Sequence, residues 1–210
     1  MLKVRIIPTL LWKNFGLVKG VSFKSWRRVG TVLPAIKVYN SRDVDELLLL
    51  DIEANQSSLD LDYESINDFS NYCFVPFSVG GGIRNIDQIK TLLRVGADKV
   101  SINSAIYENP DLIDSAAKRF GSQCIIASID VRLVDGEYKC FSHSGTKLVR
   151  GAPEALARQL EERGAGEILI TSIDRDGTMK GYDVDLVKTI SDEVNVPVIA
   201  SGGAGAYDHM

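Results

Sequence analysis

The chain has 210 residues, 45% of them hydrophobic, enough to bury a sizeable core as one large α/β domain over 1–210. Its 24 Lys/Arg and 28 Asp/Glu leave a formal net charge of −4 that reads as mixed along the chain, with no Lys/Arg-rich face, which argues against nucleic acid or an anionic membrane as partner. Cys73, Cys124 and Cys140 are an odd number at unrelated spacings, which argues against a disulfide framework or a metal site and fits a reduced, cytoplasmic setting.

In chain order, the first predicted strand is VRIIPTL from Val4, a run too short to span a bilayer and interrupted by Arg5 and Pro8. Further apolar runs follow: ELLLLD from Glu46, CFVPFSV from Cys73, ADKVSIN from Ala97, QCIIASID from Gln123, EILITSID from Glu167 and VPVIAS from Val196. Each has the length and Val/Ile/Leu content of a buried parallel strand. Between them lie segments of helical period: IDQIKTLLRVG from Ile86, PDLIDSAAKRFG from Pro110, PEALARQLEERG from Pro153 and DVDLVKTISDEV from Asp183. Several have Asn or Asp caps in front and Gly behind. The β/α alternation predicts a barrel or a doubly wound sheet.

An internal repeat favours the barrel. SVGGGI at 78–83 recurs as ASGGAG at 200–205, and LLLLDIEA at 47–54 recurs as ILITSIDR at 168–175, as two half-barrels would require. The stretch 131–151 after the fifth strand reads as a hairpin insertion turning at Asp135-Gly136, over the mouth of the barrel. The chain reaches Met210 where a seventh helix would begin, so the expectation is a (β/α)8 barrel lacking its eighth β/α unit, with unpaired strand edges.

Gly81 and Gly82, and again Gly202 and Gly203, each lie between a strand and a helix start. Their N–H groups are placed either to cradle an anion or simply to make a tight turn. Two copies at strand ends predict a ligand phosphorylated at both ends, with Asn103, Ser104, Asp176 and Gly177 completing the sites. Asp130 ends the fifth predicted strand with the parity of Ser128, as a general acid or base in the mouth or as a loop hydrogen-bonder. Thr171, Asp51 and Asp174 also lie at strand ends; Thr171 is placed to orient a ligand and Asp51 to fix its own loop. Lys19, in the loop after the first strand, reads as a mobile phosphate clamp or a solvated lysine. At the opposite strand ends, Arg5, Glu46, Lys99 and Glu167 have parity toward the barrel axis, as a self-neutralising plug or a gate to an axial passage. His143 and His209 belong to no metal-ligating cluster, and no cofactor is expected.

Along nearly the whole chain, RIIPTLLWK at 5–13, VGGGIR at 79–84, GADKVSIN at 96–103, GSQCIIASID at 121–130, GAGEILITSIDRDGTMKGYD at 164–183 and IASGGAG at 199–205 resemble the cyclase (HisF-like) subunit of imidazole glycerol phosphate synthase. The resemblance implies a TIM barrel of the ribulose-phosphate-binding type, a lyase-type subunit in histidine biosynthesis. It implies a HisH-like glutaminase on the N-terminal face and ammonia passing through the barrel to a phosphorylated ribulosyl substrate. It assigns Asp130 as a catalytic carboxylate, Arg5, Glu46, Lys99 and Glu167 as the ammonia gate, and Asp98 as a contact to the glutaminase. Gly82, Asn103, Asp176, Gly177 and Gly203 would hold phosphates, with Ser104 where the family usually has Thr.

The departure is Thr9-Leu10-Leu11-Trp12-Lys13-Asn14-Phe15, where Leu11 occupies the position of the family's other catalytic Asp. Leucine cannot move a proton, and loss of a general acid or base removes ~10²–10⁴-fold of rate. This opening, with SFKS soon after, is similar to a paralogous group, the glycosyl-amidation-associated proteins, thought to pass ammonia to a sugar amidotransferase. The leading expectation is therefore an ammonia-channelling subunit of a glutamine amidotransferase complex for sugar amidation in surface-polysaccharide synthesis. The alternatives are a genuine histidine-pathway cyclase and a non-catalytic scaffold that activates the glutaminase.

Overall fold

The computed structural model describes residues 4–13, 16–54 and 61–209. Asn14 and Phe15 of the first-strand stretch, and Met210 at the predicted start of a further helix, lie outside the described residues. The elements run β1 (Thr9–Lys13), β2 (Gly16–Val21), β3 (Lys24–Gly30), α1 (Val32–Asn40), β4 (Leu47–Asp51), α2 (Tyr63–Asn71), β5 (Phe77–Gly80), α3 (Ile86–Arg94), β6 (Lys99–Ile102), α4 (Ser104–Glu108), α5 (Asp111–Phe120), β7 (Ile125–Val134), β8 (Glu137–Ser142), β9 (Lys147–Leu148), α6 (Pro153–Glu162), β10 (Glu167–Ser172), α7 (Val184–Ser191) and β11 (Val198–Ser201). They fall into two compact units, Met1–Lys19 with Arg27–Ser101, and Gly20–Trp26 with Ile102–Met210.

In the first unit β1, β4, β5 and β6 form a parallel ladder in that order. Parallel strands bury both faces, which explains their unbroken apolar runs; Leu47, Leu48, Leu49, Phe77, Val79 and Val100 are all buried. Most strands begin later than their apolar runs predict, and in two of them a proline gives the reason. β1 starts at Thr9, not Val4, because Pro8 has no N–H to give the ladder; its carbonyl still accepts from Leu48 N. Ahead of it, Ile6 exchanges two hydrogen bonds with Asp45. Pro76 likewise delays β5 to Phe77. On α3, Asn85 caps the first turn by accepting from Gln88 N at 2.9 Å, and Ile89 and Leu92 are fully buried.

Lys19 corrects one expectation: it lies in β2, not in a loop, and it is exposed. β2 runs antiparallel to β1, with Leu11 opposite Val18 and Lys13 opposite Gly16. It turns into β3 through Ser22 and Phe23, both at positive φ (49° and 61°). The alternation Gly16-Leu17-Val18-Lys19-Gly20-Val21 is too weak to announce a strand without its partner β1.

In the second unit β7, β10 and β11 are parallel, and β8 and β9 extend antiparallel from β7. β7 does not end at Asp130 as its sequence predicts. It continues to Val134 because β8 keeps pairing with it, from Asp130 opposite Phe141 to Val134 opposite Glu137. The turn between them, Asp135-Gly136, has positive φ at both residues (52° and 80°), the two-residue geometry that matches strand twist. Asp183 caps α7, accepting from Leu186 N. Among the described residues, no helix is long and apolar enough to cross a membrane.

Candidate functional site

The register of each ladder shows which side chains share a face. In the first unit, Thr9, Leu48, Ser78 and Lys99 form one row across β1, β4, β5 and β6. The next row toward the strand ends is Leu11, Leu50, Gly80 and Ser101. Glu46, two residues before Leu48, shares their face, and there three of the predicted gate residues meet. The Glu46 carboxylate accepts from Arg5 Nη1 at one oxygen and from Lys99 Nζ at the other, at 2.9 Å. Glu46 is 5% exposed, and so deep an anion is tolerable only because two cations compensate it. Glu46→Ala removes the buried anion that both cations share and is expected to cost about 3 kcal/mol in urea unfolding, with Glu46→Gln costing less. The fourth member, Glu167, is the first residue of β10 in the second unit and is buried.

Within the same face, the hydroxyls of Ser78 and Ser101 are buried with no hydrogen-bond partner among the described residues. The row of Leu11 contains no acid. The nearest carboxylate along β4, Asp51, lies one residue past Leu50, and its Oδ1 accepts from Glu53 N (2.9 Å) and Ala54 N (3.1 Å). Burial raises its pKa and those two N–H groups pull it back down. Asp51 therefore fixes its own turn. Gly81 packs on that turn at φ +106°: a Cβ there would stand 2.0 Å from the Asp51 carbonyl oxygen, so the glycine is required by backbone contact alone. Gly82 meets Ala54 in the same way. Asp98, the predicted partner contact, is exposed, but one carboxylate oxygen accepts from Phe77 N at 2.8 Å and holds the start of β5.

In the second unit the corresponding row is Asp130, Thr171 and Ser201 across β7, β10 and β11. Asp130 is 8% exposed, and its carboxyl is pushed up to about 7, first by burial and then by the negative charge of Asp176, against a hydrogen bond from the Asn103 side chain. A carboxyl titrating near neutrality holds or releases a proton at working pH, as a general acid or base must. Leu50 and Thr171 are equivalent in the internal repeat. Leu11 opposite Leu50 therefore repeats the place of Asp130 opposite Thr171. One half of the repeat has its acid and the other has a methyl-bearing side chain.

Around Asp130, Asn103 Nδ2 donates to the Ser128 carbonyl at 3.1 Å, the Ser104 hydroxyl donates to Asn103 Oδ1, and His143 N donates to Ser104 Oγ at 3.1 Å. This chain ties α4 to the loop after β8. The His143 ring reaches Ser142 Oγ and Glu108. A second knot gathers Asp176, Gly177, Gly202 and Gly203. Asp176 N donates to the Ser172 carbonyl, Gly202 packs on that same carbonyl, and a Cβ on Gly203 would stand 2.1 Å from the Gly181 oxygen. Asp174 is not in this knot; its carboxylate accepts from Leu133 N at 3.0 Å and pins the hairpin. Sequence reasoning did not single out Ser78, Ser101 and Ser201, whose strand parity alone places them on these faces, and it weighed His143 only as a metal ligand, not as a neighbour of Ser104, Ser142 and Glu108. Among the described residues no group of three or more His, Cys, Asp or Glu is placed to hold a metal ion.

The match to known proteins follows this geometry. A family model described as histidine biosynthesis protein covers residues 5–210. The chain belongs to this family. A protein of Campylobacter jejuni subsp. jejuni (serotype O:2), provisionally named imidazole glycerol phosphate synthase subunit hisF2, is 46% identical over 203 residues, 97% of this chain and 81% of that protein. The fold is accordingly that of a (β/α)8 TIM barrel of the HisF type, and the chain is a cyclase-like member of the family.

Proposed function

We propose that this chain is the ammonia-transferring subunit of a glutamine amidotransferase complex, built as one barrel domain. It takes ammonia from a HisH-like glutaminase and passes it along the barrel to a sugar amidotransferase in surface-polysaccharide synthesis. The observation that carries this reading is the contrast inside one sheet face: Glu46 held by both Arg5 and Lys99, and two rows further on Leu11 in a row without any acid. Ion pairs buried at this depth seldom add stability over apolar packing, so their retention fits use as a gate. The Ser78 and Ser101 hydroxyls beyond the cluster offer hydrogen bonds to a small polar solute. Gly81, Gly82, Asn103 and Ser104, with Asp176, Gly177, Gly202 and Gly203, would hold the phosphates of a ligand at the strand ends, oriented by Thr171. Asp98 would face the glutaminase.

The specific test supplies amide-¹⁵N glutamine to the chain with its glutaminase and sugar amidotransferase. The expected result is ¹⁵N in the sugar amide at a rate that tracks glutamine consumption and falls when Lys99 is replaced by Met. Glutamine hydrolysis stimulated by the chain, with all label released as free ammonium, would instead mark a scaffold that only activates the glutaminase. A second reading, the histidine-pathway cyclase, is favoured by Asp130, whose titration near neutrality suits proton transfer in ring closure.

A further inference from the structure

His143 lies in the turn after β8, where three consecutive residues, His143, Ser144 and Gly145, have positive φ (52°, 55° and 75°). Glycine adopts that conformation freely, whereas a residue with a side chain adopts it at a cost, so the surroundings must hold His143 and Ser144 in it. Thr146 closes the turn from inside. Its N–H donates to the Ser142 carbonyl at 3.2 Å and to the His143 carbonyl at 3.3 Å, and its hydroxyl donates to the His143 carbonyl at 2.6 Å.

Held this way, His143 meets α4 at both of its ends. Its backbone N–H donates to Ser104 Oγ at 3.1 Å, on the first residue of the helix, and its Nε2 stands 3.4 Å from Glu108 Oε1, on the last. Nδ1 lies 3.0 Å from the Ser142 hydroxyl, which fixes the direction of the ring. At five residues α4 is too short to be stable by itself, so its placement depends on the burial of Ala105 and Ile106 and on the grip at its ends. Asn103 stands immediately ahead of α4, and its carbonyl accepts from Ile106 N at 3.0 Å. Its side chain donates to the Ser128 carbonyl at 3.1 Å and hydrogen-bonds the Asp130 carboxyl. The titratable groups that act on Asp130 are Asp176 from the loop after β10, Tyr107 from α4 and Cys140 from β8, and none of them is a cation. Among the described residues, the Asn103 amide is therefore the group that favours the charged form of Asp130, and it moves with α4.

We propose that His143 is a positioning residue: by gripping α4 at Ser104 and Glu108 it holds the Asn103 amide on Asp130. It acts on proton transfer through Asn103, not by touching the ligand. This rests on the reading of Asp130 as the acid–base group of the site, whichever acceptor takes the ammonia.

The test follows the Asp130 carboxyl of the full chain by ¹³C NMR of labelled aspartate over the pH range in which the chain stays folded, its signal assigned by its loss in Asp130→Asn. Asn103→Ala removes the amide and is expected to move the Asp130 midpoint up by about half a pH unit or more. His143→Asn suits the left-handed backbone, so it keeps the turn and loses the reach to Glu108. His143→Asn and Glu108→Ala should each move the midpoint the same way by less, and the double variant no further than the larger single one, because both release one grip. Glu108→Gln, whose amide oxygen still accepts from Nε2–H, should keep the wild-type midpoint. Glu108 is exposed, so its variants report on the grip without loss of folding, which cooperative urea unfolding checks. An Asp130 midpoint that is moved by Asn103→Ala but unchanged in His143→Asn and Glu108→Ala overturns the proposal. A midpoint unmoved by Asn103→Ala also overturns it, by removing the bond through which His143 would act. The ¹⁵N transfer experiment reads ammonia delivery independently, so the failure of one reading is not mistaken for failure of the other.

Discussion

Replacing Leu11 with aspartate is expected to raise the rate of ring closure from ammonia and the ribulosyl bisphosphate by about 10²-fold or more, while Leu11→Asn gives no such gain. The comparison isolates proton transfer, because both substitutions place a polar group of nearly the same shape between Val18 and Leu50. Each should cost about 1 kcal/mol of stability for placing a polar group at this half-buried position. The expectation rests on the internal repeat: Leu11 stands opposite Leu50 on β1 and β4 as Asp130 stands opposite Thr171 on β7 and β10. A rate that is the same for Leu11→Asp, Leu11→Asn and wild type would mean that this position does not limit the reaction.

The second large effect concerns Asp130 and pH. Its folded carboxyl titrates at about 7 against an ordinary value of 3.8, so between those two pH values the folded state binds the proton that the unfolded state has already released. The contribution of Asp130 to stability is therefore fully present below pH 4 and is lost as pH rises through 7. The span from 3.8 to about 7 sets a ceiling of about 4 kcal/mol on that loss. Asp130→Asn is neutral at every pH. It should be more stable than wild type at pH 8, by up to a few kcal/mol, and no more stable at pH 4. Urea unfolding at both pH values checks this. The same variant should lose whatever ring-closure activity the wild type has. A stability difference independent of pH would show that Asp130 titrates at its ordinary value.

Much of this was legible in the sequence because parallel β/α units write themselves plainly. A strand buried on both faces is an unbroken apolar run, as in Leu47–Leu50, and a capped helix such as Ile86–Arg94 announces both ends. Parity also placed Glu46 and Lys99 toward the same face, and the structure joins them. What escaped depended on partners distant in sequence. β2 exists because β1 pairs with it, and nothing in Gly16–Val21 says so, which moved Lys19 from a loop to a strand. β7 runs past Asp130 because β8 folds back on it. The glycines illustrate a different limit. Gly81 and Gly203 looked like phosphate cradles, yet each is demanded by a carbonyl oxygen that would collide with any side chain. The local excess of cations over 13–42 was visible in the sequence but was masked by the overall net charge of −4.

The central claim is that a lost acid at position 11 has separated ammonia transfer from ring closure. The most direct measurement is the turnover of the wild-type chain with the ribulosyl bisphosphate at saturating ammonia, following formation of imidazole glycerol phosphate. The account predicts a turnover of about 0.1 s⁻¹ or slower, some 10²-fold below the ~10 s⁻¹ of a typical enzyme. Turnover near that typical value, with Leu11 in place, would contradict it.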